Sequence, residues 1–436
     1  MIRTCLIVAL TTALGGCGWF DRSAAPRLTG ERISVMKYER SLQPDASIAD
    51  LAIRLPKPVV NREWPQSGGY PNHAMHHLEL GNAPSRLWRT NIGRGSNSER
   101  RLVTRPVVAN DRVYAMDASA RVGAYSAETG KRFWRRDLRP KSETEGTLGG
   151  GLAFYNGRLY VTTGFAQVIA LDGVSGKEIW RRDVSGPMRA PPTANSGRIF
   201  VVTIDNKTHA LAADDGRLLW SHNGSPEVAG FLGAAAPAVS QGIVVVPYSS
   251  GELFALRLTD GNRLWMDYLA LPQRTSAVLT IADIRGAPVI DRGRVFAISN
   301  SGRMVAINLR TGSRVWQQRL SGRQSPWVAG DFVYLVTVDG DLLCLSRSDG
   351  RVRWVRSLPL YKNARSKTGL ISWAGPVLVG DRLVLAGSHG KVLAVSPYSG
   401  NLLGRIKMPD GMFVPPVIAN RTLYFLTDDA DLIALR

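Results

Sequence analysis

The chain has 436 residues, 44% apolar and 21% charged, which excludes collagen-like, wholly disordered and coiled-coil classes. Lys and Arg number 55 against 35 acids, a formal charge of +20. No basic run exceeds two residues, so the excess reads as a generally basic surface suited to acidic partners, and no nucleic-acid partner is expected. Cys5, Cys17 and Cys344 are too few and too scattered for a disulfide framework or a zinc site.

At the N-terminus, Arg3 precedes a mostly apolar stretch from Leu6 to Leu14, about half of the roughly 20 residues that would span a bilayer. Leu14-Gly15-Gly16-Cys17 follows. An apolar residue and small residues before a cysteine resemble a bacterial lipobox, departing from it at Gly15, where Ala or Ser is commoner. The resemblance implies a signal peptide over 1–16, lipid on Cys17 and, with Gly18 next in the chain, export to the outer membrane. Residues 17–60 carry Pro26, Pro44, Pro56 and Pro58 with mixed charge and read as a lipid-anchored tether with brief local order.

The remainder repeats, which overrides the three domains that length alone suggests. Pro106, Gly130 and Trp134 define a spacing of 24 and then 4 residues. It recurs at Pro192, Gly216 and Trp220; at Pro237, Gly261 and Trp265; at Pro288, Gly312 and Trp316; and at Pro326, Gly350 and Trp354. One unit has Leu152 before Gly176 and Trp180, and one has Gly404 where Trp would stand after Pro376 and Gly400. Within a unit, short β-branched and aromatic runs alternate with turn residues and show no helical period. Four strands fit each unit, and the mean period of about 45 residues is that of a propeller blade.

The last unit, from Pro415-Pro416, stops at Arg436 before its Gly turn, and the missing fourth strand is at the front, around Trp88. An all-β, eight-bladed propeller over 61–436 is therefore expected, its last blade completed by an N-terminal strand so that no edge is left unpaired. The repeat tryptophans, Trp88, Trp134, Trp180, Trp220, Trp265, Trp316 and Trp354, are assigned to packing on the turn of a neighbouring blade.

Catalytic patterns are missing. The Gly-Lys pairs lack the rest of a phosphate loop, no nucleophile elbow occurs, and Asp339-x-Asp341 reads as a hairpin turn rather than a calcium loop. His73, His76 and His77 are the one histidine cluster, in a loop without acidic or Cys ligands at matching spacing, so no metal is assigned. The blade motif resembles quinoprotein dehydrogenases, but the adjacent cysteines and carboxylate set those enzymes need are not found, and neither cofactor nor enzymatic activity is expected.

Lipobox, tether and eight Trp-docking blades together resemble the BamB family of the bacterial outer-membrane β-barrel assembly machinery, over the whole mature chain. The resemblance implies a scaffold that docks on BamA, joins the rest of that machinery and assists unfolded outer-membrane proteins. It extends to two inter-blade loops. The stretch from Ser185 to Thr193 is similar to the family's Leu-Arg-Gly-x-Ser-Ala-Pro-x-Thr segment, which implies partner contacts at Arg189 and its apolar neighbour Met188. The loop from Ala270 to Ala287 is similar to the family's Asp-x-Asp segment, which implies a contact at Asp283, with Arg285 departing from the second Asp. A periplasmic quinoprotein oxidoreductase and an envelope-ligand-binding propeller are the alternatives.

Overall fold

Short strands separated by left-handed turn residues close up locally into meanders, and that is the unit of this fold. The computed structural model describes residues 42–143, 149–227, 233–270 and 282–436. Blade 1 consists of strands Val107–Ala109, Arg112–Met116, Arg121–Ser126 and Arg132–Asp137, antiparallel and in sequence order. Six further blades repeat this order, beginning at strands Gly150–Tyr155, Thr193–Asn195, Ala238–Ser240, Val289–Asp291, Trp327–Ala329 and Trp373–Val379. Blade 8 takes Val417–Ala419, Thr422–Leu426 and Asp431–Leu435 from the C-terminus and Arg86–Asn91 from the N-terminus. The expected terminal clasp is thus present: Trp88 stands opposite Ala434, and Ser85 and Arg436 exchange two backbone hydrogen bonds of 2.8 and 2.9 Å.

The burial pattern follows strand position. Middle strands are buried over most of their length, and Ile243–Pro247 throughout, because both faces pack on neighbouring blades. Fourth strands bury chiefly their tryptophan. Apolar clusters span adjacent blades: one joins Tyr114 and Val122 of blade 1 to Leu159 and Ile169 of blade 2, and another joins Phe200 of blade 3 to Val244 and Leu256 of blade 4.

The tryptophans explain the 24-plus-4 spacing. Each indole lies over the Gly turn of the following blade, and its Nε1–H donates to a carbonyl of that turn: Trp134 to Gly173 at 3.2 Å, Trp220 to Leu258 at 3.0 Å, Trp265 to Leu309 at 2.7 Å. The turn glycine must be glycine for two reasons. Gly261 has φ +73°, and a β-carbon there would stand 2.5 Å from the Trp220 ring. The exception is equally physical. Gly404 occupies the tryptophan position of blade 7, whose neighbour, blade 8, has a chain break between its third and fourth strands and therefore no turn to cover.

Two segments depart from the sequence reading. The compact unit begins at Gln43, not at 61. Residues 43–60, expected as tether, run along the propeller: the Asp45 amide donates to Val352 O at 2.8 Å, a 3-10 turn at Ala46–Ile48 buries Ile48, and Arg353 donates to Leu51 O. The second departure is larger. Residues 61–80, placed within the propeller with the histidine cluster read as a loop, form a girdle that meets all eight blades in circular order. Asn61 bonds to Ile418 and Asn420 of blade 8 and Trp64 pairs with Val108 of blade 1; Pro65 accepts from Phe154 of blade 2. Gln66 brackets Ala194 of blade 3, Pro71 accepts from Val239 of blade 4 and Asn72 from Ile290 of blade 5. His76 O accepts from the Trp327 indole of blade 6, and Leu78 pairs with blade 7. First strands otherwise leave an inner edge of unpaired backbone groups facing the axis, and the girdle satisfies part of it on each blade except the sixth, where it meets the Trp327 side chain instead.

Candidate functional site

Because the girdle crosses the C-terminal ends of the first strands, it closes that end of the axis, where Trp64 stacks on Trp327 with ring centroids 6.3 Å apart. The inter-blade loops converge at the other end. A rigid scaffold carrying variable loops is where recognition concentrates.

Two of the three expected contact residues meet there. Arg189, before the first strand of blade 3, and Asp283, before that of blade 5, line one pocket of about 230 Å³ together with Thr203, Asn206 and Glu227. Asp283 is buried and Arg189 half-buried. The third residue is corrected. Met188 is fully buried in the core shared by blades 2 and 3, beside Tyr160 and Ile199, so it supports the loop from beneath and presents no surface. The sequence shows an apolar residue beside an arginine; only packing shows that the two side chains leave the loop in opposite directions. Cys17 lies outside the described residues, as do residues 271–281 of the long loop before Asp283.

The histidines are each held by a different part of the chain. His73 is buried, its ring Nδ1 2.8 Å from Pro288 O, and burial pushes its pKa down to about 4. His77 Nδ1 lies 2.8 Å from Pro56 O, while its Nε2 accepts from the Asp381 amide at 3.1 Å. His76 faces Asp291 at 3.6 Å. They are girdle anchors, and His73 and His76 stand at left-handed φ of 61° and 53°, where the girdle turns. Cys344 is buried in blade 6, and burial raises its thiol pKa, which makes it a packing residue.

Sequence reasoning missed a cluster of arginines. A larger cavity of about 440 Å³ opens on the axis, and among the described residues its wall includes Arg101, Arg105, Arg189, Arg285 and Arg323 but no Asp or Glu. Each arginine precedes a first strand, a register that was legible in the repeat. Their convergence was not, because the ring brings together residues more than 200 apart in the chain. The quinone–calcium pair of quinoprotein enzymes requires carboxylates beside its metal; this wall does not supply them, and no step of that chemistry is derived.

Strand order, terminal clasp and Trp-on-Gly docking define an eight-bladed propeller of the quinoprotein-like repeat class. The family model described as outer membrane protein assembly factor BamB matches residues 83–137 and 118–356. The chain belongs to that family. Among curated relatives, the BamB of Moranella endobia is 25% identical over 233 residues, covering 53% of this chain and 58% of that one. The BamB of Alkalilimnicola ehrlichii is 29% identical over 205 residues, 47% of this chain and 51% of that one. The chain therefore spans somewhat over half the length of these relatives. Of solved structures, BamB from Moraxella catarrhalis superposes with a TM-score of 0.70 at 19% identity, over 81% of this chain and 100% of that one. The quinohemoprotein alcohol dehydrogenase of Comamonas testosteroni gives 0.65 at 12%, over 90% and 82%; both likenesses concern the fold.

Proposed function

We propose that this protein is a non-enzymatic scaffold of outer-membrane β-barrel assembly, anchored through lipid on Cys17 to the periplasmic face of the outer membrane. Its inter-blade loops dock on BamA, and it assists the folding of outer-membrane proteins. The observation that carries the reading is the meeting of Arg189 and Asp283, distant in sequence, in one pocket on the loop face, in a chain whose relatives are named assembly factors. An arginine and an aspartate in a partly desolvated pocket offer a partner charge-assisted hydrogen bonds of fixed direction.

Support for client binding comes from the blade rims. Although the ring closes, fourth strands pair on one side only, so outer edges remain where none was expected; they expose apolar side chains next to their tryptophans, among them Phe133 at 52%, Ile179 at 42% and Leu264 at 40% exposure. Such an edge can accept an extended peptide by strand addition. Arg189→Glu is expected to reduce BamA recovery from solubilised envelopes by about tenfold, roughly 1.4 kcal/mol, with the melting temperature little changed. Undiminished recovery would remove Arg189 from the interface. A dye-reduction assay after supplying pyrroloquinoline quinone and calcium tests the enzymatic alternative, and turnover there would overturn the scaffold reading.

A further inference from the structure

The axial cavity has a chemistry that scaffolding does not use. The described residues of its wall come from seven of the eight blades, and Ser67 of the girdle borders it. Arg105 donates through Nη1 to Ser67 O at 3.2 Å, and Arg101 lies over the Phe413 ring at 4.9 Å. Among the described residues no carboxylate lies within ion-pair distance of Arg101, Arg105 or Arg285.

Like charges gathered in a partly desolvated space repel, and the guanidinium groups register this. Burial, then the charge of Arg285, holds Arg105 down to about 10. Burial also lowers Arg285 and Arg323, Asp283 opposes the shift in both, and the charge of Arg323 adds to it at Arg285. A protein that gathers cations this way stores unfavourable energy that a bound anion releases. The remainder of the wall is uncharged, with Ser67, Gln324, Ser325, Thr337 and Ser372 among apolar and aromatic residues such as Trp373 and Phe413, and the volume falls within the range of small-molecule sites.

We propose that the axial cavity binds a small polyanion, a molecule bearing two or more carboxylate or phosphate groups on a compact body, with Arg101, Arg105 and Arg285 as its principal contacts. Arg guanidinium forks match either group in bidentate geometry. Such a ligand would bridge blades 1 and 5 across the axis and stabilise the closed ring by mass action.

Calorimetric titration of the full-length protein in detergent tests this. Citrate probes the carboxylate class, pyrophosphate the phosphate class, and sodium acetate at matched ionic strength controls for screening. The expected result is saturable binding of citrate or pyrophosphate with a raised melting temperature, and no such response to acetate. Arg285→Gln and Arg101→Gln should each weaken binding about tenfold, whereas Arg263→Gln, on an outer strand, should leave it unchanged. Arg101 is included because its rim position spares the fold if loss of a deeper arginine does not. Failure of both probes to saturate, or equal affinity in the Arg285 and Arg101 variants, overturns the proposal. Neither outcome bears on BamA recovery, which is measured separately.

Discussion

A single charged pair shows how far this fold tolerates buried polarity. Arg347 of blade 6 and Asp291 of blade 5 meet at 2.8 Å, both more than nine-tenths buried, and Arg347 also donates to Asp291 O at 2.9 Å. Removing Arg347 leaves the buried Asp291 carboxylate with only the more distant His76 and Arg292, at 3.6 and 3.9 Å. Arg347→Met is expected to cost about 3–5 kcal/mol, read as a loss in the denaturation midpoint, and a cost below about 1 kcal/mol would show the pair to be dispensable. His73 makes a pH prediction. Its folded pKa, about 4, lies below the ordinary value near 6.5. As pH falls through that interval the unfolded chain takes a proton that the folded chain refuses, so stability is intact above about 6.5 and is lost toward 4. The full effect is about 3 kcal/mol, and burial shifts His209, His222 and His389 in the same direction. Melting temperatures between pH 7.5 and 4.5 should fall, and less steeply in His73→Asn, a residue that accepts the left-handed backbone. At this scale the sequence exposed residue types but not their surroundings: nothing near Met188 or His73 in the chain indicates that each is buried.

Among elements, the decisive unit is a fourth strand with the turn of the next blade. The indole covers the glycine, donates to the turn carbonyl and fills the space between two sheets. Gly261→Ala would force a β-carbon against Trp220 in a left-handed backbone, an expected loss of at least about 2 kcal/mol. Trp180→Ala should cost about 3–5 kcal/mol by leaving a cavity at the blade 2–blade 3 seam. Chemical denaturation measures both, and a neutral Gly261→Ala would refute the steric account. This element was readable from sequence because its two halves recur at fixed spacing, including the packing of each tryptophan on a neighbouring blade's turn; that the neighbour is the following blade was not, since the repeat interval does not encode it. The girdle was unreadable for the opposite reason. Residues 61–80 have no period, and their hydrogen bonds run to eight separate places.

For the molecule as a whole, closure depends on a strand from each end. Asp431–Leu435 lies between Arg86–Asn91 and Thr422–Leu426, and Arg89 pairs with Asp431 across that seam. Deleting residues 431–436 should abolish the cooperative transition and render the chain protease-sensitive, because the ring would open beside blade 8 with unpaired edges. A deletion variant that melted as sharply as the full chain would show that the seven remaining blades and the girdle suffice. Closure also sets the functional geometry. The girdle covers one end of the axis, and the inter-blade loops, with the arginine cavity, occupy the other.

The amino-acid sequence alone determined the number of blades, the strands within each, the glycine turns and the shared last blade, because these follow from local backbone preferences repeated at a constant interval. Tertiary structure decided which side chains share a space. Arg105 and Arg285 approach one another, Met188 turns inward, and a loop without pattern becomes a belt around the axis, since each of these depends on where a closed ring returns the chain and no interval in the sequence encodes it.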